Sequence, residues 1–388
     1  MMRVSVFGST GSIGESTFDL LRARPDIQTV ALTGGRNVAR LAQQARELRA
    51  ELAVTAYDDC LDDLRAALAG SGTEVAAGTQ ALIDAASRPA DWVMSAIVGA
   101  AGLEPGFRAL AQGATLALAN KESLVTAGPL LMSEAARHGA RILPVDSEHS
   151  AVFQALVGED MAAVERVIIT ASGGPFRTWS KSQLEGATLA QAQTHPNWSM
   201  GQRITIDSAT LFNKALELIE TREFFGLNPA QIEVLVHPQS TIHALVGFRD
   251  GALMAHLGVP DMRHAIGYAL NWPERAALPV ARLDLAAMGQ LTFEAPDPAR
   301  FPALRLAQQV MDLRGHAGAV FNAAKEVALD EFIAGRLRFL QMAELVDRTI
   351  DTLLTDSRLT APVCALETVQ QMDHLARVTA RDIAARLA

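Results

Sequence analysis

The hydrophobic pattern of the N-terminal third alternates between short apolar runs and segments with helical spacing. Apolar runs occur at residues 3–7, 29–32, 52–54, 92–98 and 115–118. Between them, apolar residues three or four positions apart predict helices, for example over 38–50. Strands that alternate with helices are typical of a parallel, doubly wound sheet. We therefore predict an α/β, Rossmann-like domain over residues 1–146.

The pattern changes near residue 146. The segment SEHSAVFQALVG predicts a helix, and VERVIITA predicts a strand closed by a glycine loop. The run IEVLVHPQSTIHALVGFRDGALMAHLG contains an Arg-Asp-Gly turn at 249–251, which predicts an antiparallel hairpin. We predict an α+β domain with an open sheet over 147–272, a proline-rich linker over 273–302, and a C-terminal α-helical domain over 303–388.

Composition narrows the class of protein. The 388 residues include 34 Lys+Arg and 43 Asp+Glu, and the net charge of −9 argues against a nucleic-acid or anionic-membrane partner. The longest nearly uncharged apolar stretch, 92–103, is shorter than the roughly 20 residues of a membrane-spanning helix. Two cysteines without paired spacing fit a reducing compartment, and no leader pattern precedes the first strand. These features predict a compact cytoplasmic protein.

A glycine turn follows the first predicted strand. Gly8, Gly11 and Gly14 form GxxGxxG at a helix start, where backbone N–H groups can approach a pyrophosphate. The alternative is a tight turn without a ligand. After the second strand stands Arg36, where NAD enzymes usually carry an acidic residue, and a cation suits the 2′-phosphate of NADP(H). The alternative is that Arg36 is a solvated loop charge.

Two carboxylates follow a later strand. Asp146 and Glu148 are two residues apart in PVDSEHSA, so in an extended backbone they would project from one face. They would form half of a site for Mg²⁺ or Mn²⁺, ions that prefer carboxylate and water oxygens. The alternative is a solvated strand end.

A third carboxylate lies on a predicted helix. The segment IDSATLFNKALELIE predicts a helix capped by Asp207 or Ser208, with Asn213, Lys214 and Glu217 on its polar side. Asn213 and Lys214 could donate to a phosphate, and Glu217 could reach a metal. Alternatively, Lys214 and Glu217 form a surface ion pair of little energetic value.

Two further segments have loop character. TASGGPF places Ser172 in a glycine loop that could expose N–H groups to an oxyanion or phosphate, or could be a hairpin-like turn. THPNWSMGQR has neither helical nor strand periodicity, and its Trp198 and Met200 predict a lid over a ligand that His195 would contact. Alternatively, Trp198 is a packed loop anchor and His195 a structural histidine.

These motifs occur together and in one order: GSTGSIG, GRNV, AIVGAAGL, LANKESLV, PVDSEHSA, ASGGPF, HPNWSMG, DSATLFNKALE, HPQS and GVPDMR. From the first strand into the C-terminal helices, the chain resembles the 1-deoxy-D-xylulose 5-phosphate reductoisomerases. The resemblance implies an NADP-dependent oxidoreductase that rearranges and reduces 1-deoxy-D-xylulose 5-phosphate to 2-C-methyl-D-erythritol 4-phosphate. This is the committed step of non-mevalonate isoprenoid biosynthesis. The implied cofactors are NADPH and Mg²⁺ or Mn²⁺, with Co²⁺ as a further candidate, and the implied assembly is a homodimer.

The resemblance also implies a role for each matching residue. The implied metal ligands are Asp146, Glu148 and Glu217, and these three residues with Lys121 and His195 form the implied catalytic set. The implied phosphate anchors are Ser172, Ser208, Asn213 and Lys214. The other implied substrate contacts are Lys121, Ser147, Glu148, Glu217, and the flap residues His195 and Trp198. The implied cofactor contacts are Thr10, Gly11, Ser12, Ile13, Gly35, Arg36, Asn37, Asn120, Glu122 and Gly201.

Three positions depart from the resembled pattern. Ala215 stands where glycine is common, Arg203 where lysine is common, and Lys325 where asparagine is usual.

Two rival functions remain open. One is an NADP-dependent dehydrogenase of a hydroxylated acid or aldehyde with structural carboxylates, which would need no added metal. The other is a non-catalytic NADP-sensing protein, which would bind the cofactor without consuming it.

Overall fold

The computed structural model describes residues 1–198 and 201–387. Its strands are β1 (Met2–Phe7), β2 (Ile27–Gly34), β3 (Leu52–Thr55), β4 (Glu74–Ala77), β5 (Trp92–Ser95), β6 (Thr115–Leu118), β7 (Arg141–Pro144), β8 (Val164–Ala171), β9 (Ile232–Val236), β10 (Ile242–Phe248) and β11 (Leu253–Leu257). Its helices are α1 (Ser12–Leu21), α2 (Val38–Leu48), α3 (Leu61–Leu68), α4 (Gly78–Ala86), α5 (Leu103–Leu110), α6 (Lys121–His138), α7 (Ser147–Ala155), α8 (Lys181–Glu185), α9 (Leu189–Ala192), α10 (Gln202–Ala209), α11 (Phe212–Phe225), α12 (Arg263–Asn271), α13 (Leu285–Met288), α14 (Ala303–Leu313), α15 (Ala317–Ile333), α16 (Phe339–Leu353) and α17 (Leu366–Leu387).

The chain forms two compact units. The first contains Met1–Ser123, Leu131–Ser150 and Asp261–Ala281, and the second contains Leu124–Leu130, Ala151–Pro260 and the segment from Arg282 onwards. The domain boundaries predicted at 146, 272 and 302 stay predictions. Within the described residues, no helix combines the length and the apolar character needed to cross a membrane.

The first unit is built on a seven-stranded parallel sheet in the order β4-β3-β2-β1-β5-β6-β7. This sheet confirms the predicted Rossmann-like α/β fold. The strand order reverses beside β1, and such a reversal opens a crevice at the carboxyl ends of the strands. Strand β5 ends at Ser95, three residues earlier than predicted. The backbone turns there, since Gly99 has φ +80 before the 3₁₀ turn Ala100–Gly102.

The second unit combines a four-stranded sheet with helices. The sheet order is β11-β10-β8-β9, with β8 parallel to β9 and the other neighbours antiparallel. The predicted hairpin joins β10 to β11 around 249–251 and is confirmed. Helices α14–α17 confirm the predicted helical C-terminal part. The unit has an apolar core in which Phe176, Phe212 and Phe321 are almost fully buried.

The prediction that a helix starts at Asp207 or Ser208 is wrong. Both residues lie inside α10, and a second helix, α11, begins at Phe212. Leu211 separates the helices with φ 59, a left-handed conformation that interrupts helical geometry. Asp207 therefore caps neither helix; its Oδ2 accepts a hydrogen bond from Lys325 Nζ at 3.0 Å.

Candidate active site

The glycine turn after β1 requires residues without side chains. A Cβ at Gly8, where φ is +89, would lie 2.4 Å from the carbonyl oxygen of Ala96. A Cβ at Gly14 would lie 2.2 Å from the carbonyl oxygen of Ser9. The turn is thus packed against the loop after β5, where the strand order reverses. Thr10, Ser12 and Ile13 continue from this turn into α1, and Gly11 begins the helix without a side-chain cap among the described residues.

The loop after β2 carries the predicted 2′-phosphate residue. Arg36 Nη1 lies 2.8 Å from Asp59 Oδ2, and both side chains are largely exposed. The guanidinium carbon lies 4.0 Å from the ring centroid of Tyr57, a cation–π contact. Asn37 caps α2 by accepting from the N–H of Arg40 at 3.2 Å. Arg36 is therefore exposed, and its guanidinium is held in position by contacts with Asp59 and Tyr57.

Asn120 organises the loop that packs against the glycine turn. Its buried side chain donates to the carbonyls of Ile97 at 2.6 Å and Gly99 at 2.9 Å. It also donates to Glu122 Oε2 at 2.9 Å and caps α6 through the N–H of Ser123 at 3.0 Å. The capping role of Asn120 was not predicted, although asparagine is among the preferred N-cap residues.

Asp146 is paired with a buried lysine. Lys121 Nζ lies 2.5 Å from Asp146 Oδ2, and each side chain is 10% exposed. Asp146 Oδ1 also accepts from the backbone N–H groups of Glu148 at 3.0 Å and His149 at 3.3 Å, so it caps the first turn of α7. Ser147 Oγ donates to Glu148 Oε2 at 2.5 Å. Glu148 thus belongs to the first turn of α7, as predicted for the segment SEHSAVFQALVG, so the condition of an extended backbone through the two carboxylates is not met.

Glu217 is fully buried in the second unit. Lys214 Nζ contacts Glu217 Oε2, and Asn213 Nδ2 donates to Glu217 Oε1 at 2.7 Å. The lysine and glutamate side chains are 4% and 1% exposed, so the alternative of a surface ion pair is wrong. Burial of a carboxylate destabilises the fold unless the group is paired and hydrogen-bonded. The contacts with Lys214 and Asn213 compensate for the burial of Glu217.

The glycine loop after β8 packs against the helix that carries Ser208. Gly173 and Gly174 have φ +84 and +64, and the N–H of Gly174 donates to Ser172 Oγ at 3.1 Å. A Cβ at Gly174 would lie 2.9 Å from the carbonyl oxygen of Ser208, so the loop packs directly on α10. This arrangement places Ser172 beside the helix that carries Ser208.

His195 is held as a neutral imidazole. Its Nδ1 accepts from the N–H groups of Asn197 at 3.2 Å and Trp198 at 2.9 Å, so the ring hydrogen lies on Nε2. Nε2 then donates to Ser172 Oγ at 3.0 Å. Burial, with the charge of Lys214, lowers the pKa of His195 from 6.5 to about 4. Ser172 Oγ accepts two hydrogen bonds, which directs its own hydrogen towards another acceptor, such as a phosphate oxygen.

The segment around Trp198 follows the predicted loop character. Asn197 Nδ2 donates to Ser240 Oγ at 3.0 Å, a contact that the sequence did not indicate. The ring of Trp198 lies 6.3 Å from that of His243. Met200 falls outside the described residues, and Gly201 precedes α10 as its N-cap.

Three family models match the chain. They are 1-deoxy-D-xylulose 5-phosphate reductoisomerase over residues 4–128, its C-terminal domain over 142–225, and the DXP reductoisomerase C-terminal domain over 257–379. A relative of that name from Ruegeria pomeroyi is 68% identical over 378 residues, which are 97% of this chain and 96% of the relative. The chain belongs to the 1-deoxy-D-xylulose 5-phosphate reductoisomerase family. The resemblance found in the sequence is thereby confirmed.

Other reductoisomerases are similar to this chain over nearly its full length. A relative from Cereibacter sphaeroides is 67% identical, covering 99% of this chain and 98% of its own. The reductoisomerase from Zymomonas mobilis, solved in complex with NADPH, is 45% identical with a TM-score of 0.92 and covers 99% of each chain. A reductoisomerase solved with NADPH, fosmidomycin and magnesium is 39% identical with a TM-score of 0.93, covering 99% of this chain and 98% of that one.

Proposed function

We propose that the protein converts 1-deoxy-D-xylulose 5-phosphate into 2-C-methyl-D-erythritol 4-phosphate, with NADPH and Mg²⁺ or Mn²⁺. The observation that carries the proposal is the family match along the whole chain, with every implied metal and phosphate residue present. When bound, a divalent ion would polarise substrate oxygens as a Lewis acid and NADPH would supply the hydride.

We propose Asp146, Glu148 and Glu217 as the ligands of the divalent ion. All three residues carry a carboxylate, so each can supply an oxygen ligand. Oxygen donors fit Mg²⁺ and Mn²⁺. Asp146 and Glu217 each have a lysine partner that balances the charge, and these ammonium groups can also donate to substrate oxygens.

The phosphate of the substrate is proposed to bind in the second unit. Ser172, Ser208, Asn213 and Lys214 provide hydroxyl, amide and ammonium donors, and His195 orients the Ser172 hydroxyl through Nε2. Binding a non-reacting phosphate holds the reacting carbons in register and contributes to catalysis. Trp198 is proposed to cover the substrate and exclude water. Lys121 and Ser147 are proposed to contact the sugar oxygens.

The cofactor is proposed to bind along the glycine turn. Close backbone packing at Gly8 and Gly14 requires glycine and fixes the shape of the turn that leads into α1. The backbone N–H groups at the start of a helix can bind a pyrophosphate. Thr10, Gly11, Ser12 and Ile13 belong to this turn, and Gly35, Arg36 and Asn37 follow β2. Asn120, Glu122 and Gly201 complete the proposed cofactor contacts.

The proposed reaction is tested by NADPH oxidation with 1-deoxy-D-xylulose 5-phosphate. After treatment with a chelator, turnover should be lost, and added Mg²⁺ or Mn²⁺ should restore it. Turnover that persists without metal would favour the dehydrogenase alternative. NADPH binding without consumption under all these conditions would favour the sensing protein.

Replacing Arg36 by alanine should weaken NADPH binding far more than NADH binding. Loss of charge-assisted hydrogen bonds to the 2′-phosphate predicts a decrease of about 10- to 100-fold for NADPH, with NADH affinity within about three-fold. Fluorescence titration with both cofactors measures the difference. Arg65→Ala is the control, because Arg65 forms an exposed pair with Asp62 on α3. Equal weakening of both cofactors would contradict the role of Arg36.

Lowering the pH from 7 to 5 should reduce the melting temperature of the wild type more than that of His195→Gln. The pKa of His195 is about 4 in the folded protein and near 6.5 in the unfolded chain. The unfolded state therefore binds more protons between these values, and stability falls as the pH decreases through this window. Parallel decreases in the two proteins, followed by circular dichroism, would rule out a half-buried neutral imidazole at His195.

We propose that two copies associate through β11. This strand lies at the edge of its sheet, and Leu253, Met254 and Leu257 on it are 50%, 36% and 37% exposed. An edge strand with exposed apolar side chains is a template for pairing with another chain. A second copy presents the same edge, which suits a two-fold dimer.

We also propose that the protein is located in the cytoplasm.

The double variant Met254→Lys/Leu257→Lys should therefore be monomeric, because charged side chains on an edge oppose strand pairing. Light scattering after gel filtration measures the mass. Val378→Lys is the control, since Val378 is exposed on α17 and should leave the dimer intact. A monomeric wild type, or a dimeric double variant, would contradict the β11 interface.

A further inference from the structure

A chain of ion pairs connects three helices of the second unit. Lys325 Nζ on α15 lies 3.0 Å from Asp207 Oδ2 on α10. The next residue, Glu326, accepts from Arg377 Nη2 on α17 at 2.7 Å, and Arg377 Nε donates to Asp373 at 2.6 Å. Although burial acts to raise it, the charges of Lys325 and Arg377 hold the pKa of Glu326 below its usual value. These groups form one network, which we call the α10–α17 charge chain.

Helices α10 and α15 share a second ion pair of a different kind. Arg203 Nη1 lies 2.6 Å from Asp330 Oδ1, with side chains 41% and 56% exposed. By contrast, the side chains of Lys325 and Asp207 are 2% and 8% exposed. Exposed pairs contribute little, whereas removing one partner of a buried pair leaves an uncompensated charge. The buried pair is therefore the one able to fix the position of α10.

Asp207 is the immediate neighbour of Ser208 on α10. The glycine loop that carries Ser172 packs on this same point, since a Cβ at Gly174 would meet the Ser208 carbonyl at 2.9 Å. A shift of α10 would move Ser208 relative to Ser172. The buried pair at Asp207, one residue from Ser208, opposes such a shift.

We propose that Lys325 is a positioning residue for phosphate binding, which it affects through Asp207 and Ser208. The inference rests on the proposed function, because it takes the phosphate of 1-deoxy-D-xylulose 5-phosphate as the ligand of Ser172 and Ser208. Lys325 lies on α15, and the proposed effect on the substrate is indirect, through Asp207 and Ser208. Loss of Lys325 should therefore raise KM for the phosphorylated substrate, whereas kcat and the KM for NADPH should stay close to their wild-type values.

The test uses three variants of the full chain. Lys325→Met removes the buried ammonium, Lys325→Met/Asp207→Asn removes both charges, and Arg203→Met breaks the exposed pair between the same helices. Steady-state kinetics with 1-deoxy-D-xylulose 5-phosphate and NADPH, and melting temperatures, are measured for each. A wild type that does not oxidise NADPH with this substrate would refute the proposed function itself, which separates that failure from failure of the inference.

Lys325→Met should raise KM for 1-deoxy-D-xylulose 5-phosphate about ten-fold, with kcat within about three-fold, because a displaced Ser208 weakens phosphate binding equally in the ground state and the transition state. Its melting temperature should fall by about 5 °C or more, because a charge is left buried without its partner. The double variant should recover most of the melting temperature but keep the raised KM. Arg203→Met should change neither KM nor melting temperature appreciably.

Two results would overturn the inference. One is a double variant in which KM returns to the wild-type value along with stability, since the pair would then have only a structural role. The other is Lys325→Met with an unchanged KM. If Lys325→Met does not fold, the double variant alone decides, because it contains no buried unpaired charge at these positions.

Discussion

Glu217→Gln is expected to abolish turnover while the affinity for NADPH stays within about three-fold. The substitution keeps the size of a fully buried side chain but removes its negative charge, so with the proposed ligand set the divalent ion would lose one of three carboxylates. Lewis-acid stabilisation is worth several kcal/mol, which corresponds to a decrease in kcat of about a thousand-fold or more. NADPH oxidation at saturating Mg²⁺ measures kcat, and fluorescence titration measures cofactor affinity.

The loss must be separated from misfolding, because Lys214 would lose its ionic partner in the variant. Asp146→Asn provides a second variant, in the other compact unit, with the same expected loss. Glu223→Gln, further along α11, is the matched control and should retain turnover. Undiminished turnover in a folded Glu217→Gln protein would remove Glu217 from the ligand set.

Gly14→Ala is expected to reduce NADPH affinity on the order of 100-fold, because two or more charge-assisted hydrogen bonds to the pyrophosphate would be lost. The new Cβ would lie 2.2 Å from the Ser9 carbonyl oxygen and 2.3 Å from that of Gly8. These are backbone atoms that cannot move independently, so the whole turn must change shape. Fluorescence titration with NADPH gives the affinity, and the melting temperature reports the accompanying strain.

The control for this substitution is Gly106→Ala on α5. A Cβ there would lie 3.7 Å from a methyl carbon of Leu116, an ordinary van der Waals distance, so cofactor affinity should be unchanged. If Gly14→Ala bound NADPH as tightly as the wild type, the glycine turn would not be the pyrophosphate site.

The main features of the fold follow from local patterns. The strand-turn-helix at residues 2–21 is predictable because a glycine turn separates two different periodicities, and the hairpin of β10 and β11 because Arg-Asp-Gly favours a tight turn. The break between α10 and α11 was not predictable in this way. It depends on Leu211 in a left-handed conformation, which leucine rarely adopts and which the surrounding structure must impose.

Residue types in the sequence suggest the candidate site residues, which stay a prediction, but they do not give the arrangement of those residues. Asp146 and Glu148 were identified by type, yet the helix that starts between them changes their directions from those of a strand. Lys325 and Asp207 are 118 residues apart, and nothing local in the sequence indicates that they pair. Long-range contacts of this kind depend on packing of the whole unit, whereas turns and caps depend on a few neighbouring residues.

Crystals grown with Mn²⁺ and NADPH would determine whether Asp146, Glu148 and Glu217 bind one divalent ion. Anomalous diffraction at the manganese edge locates the ion independently of any assumption about its ligands. The proposal predicts one strong peak at bonding distance from carboxylate oxygens of all three residues. A peak held by other residues, or manganese bound without Glu217, would contradict it.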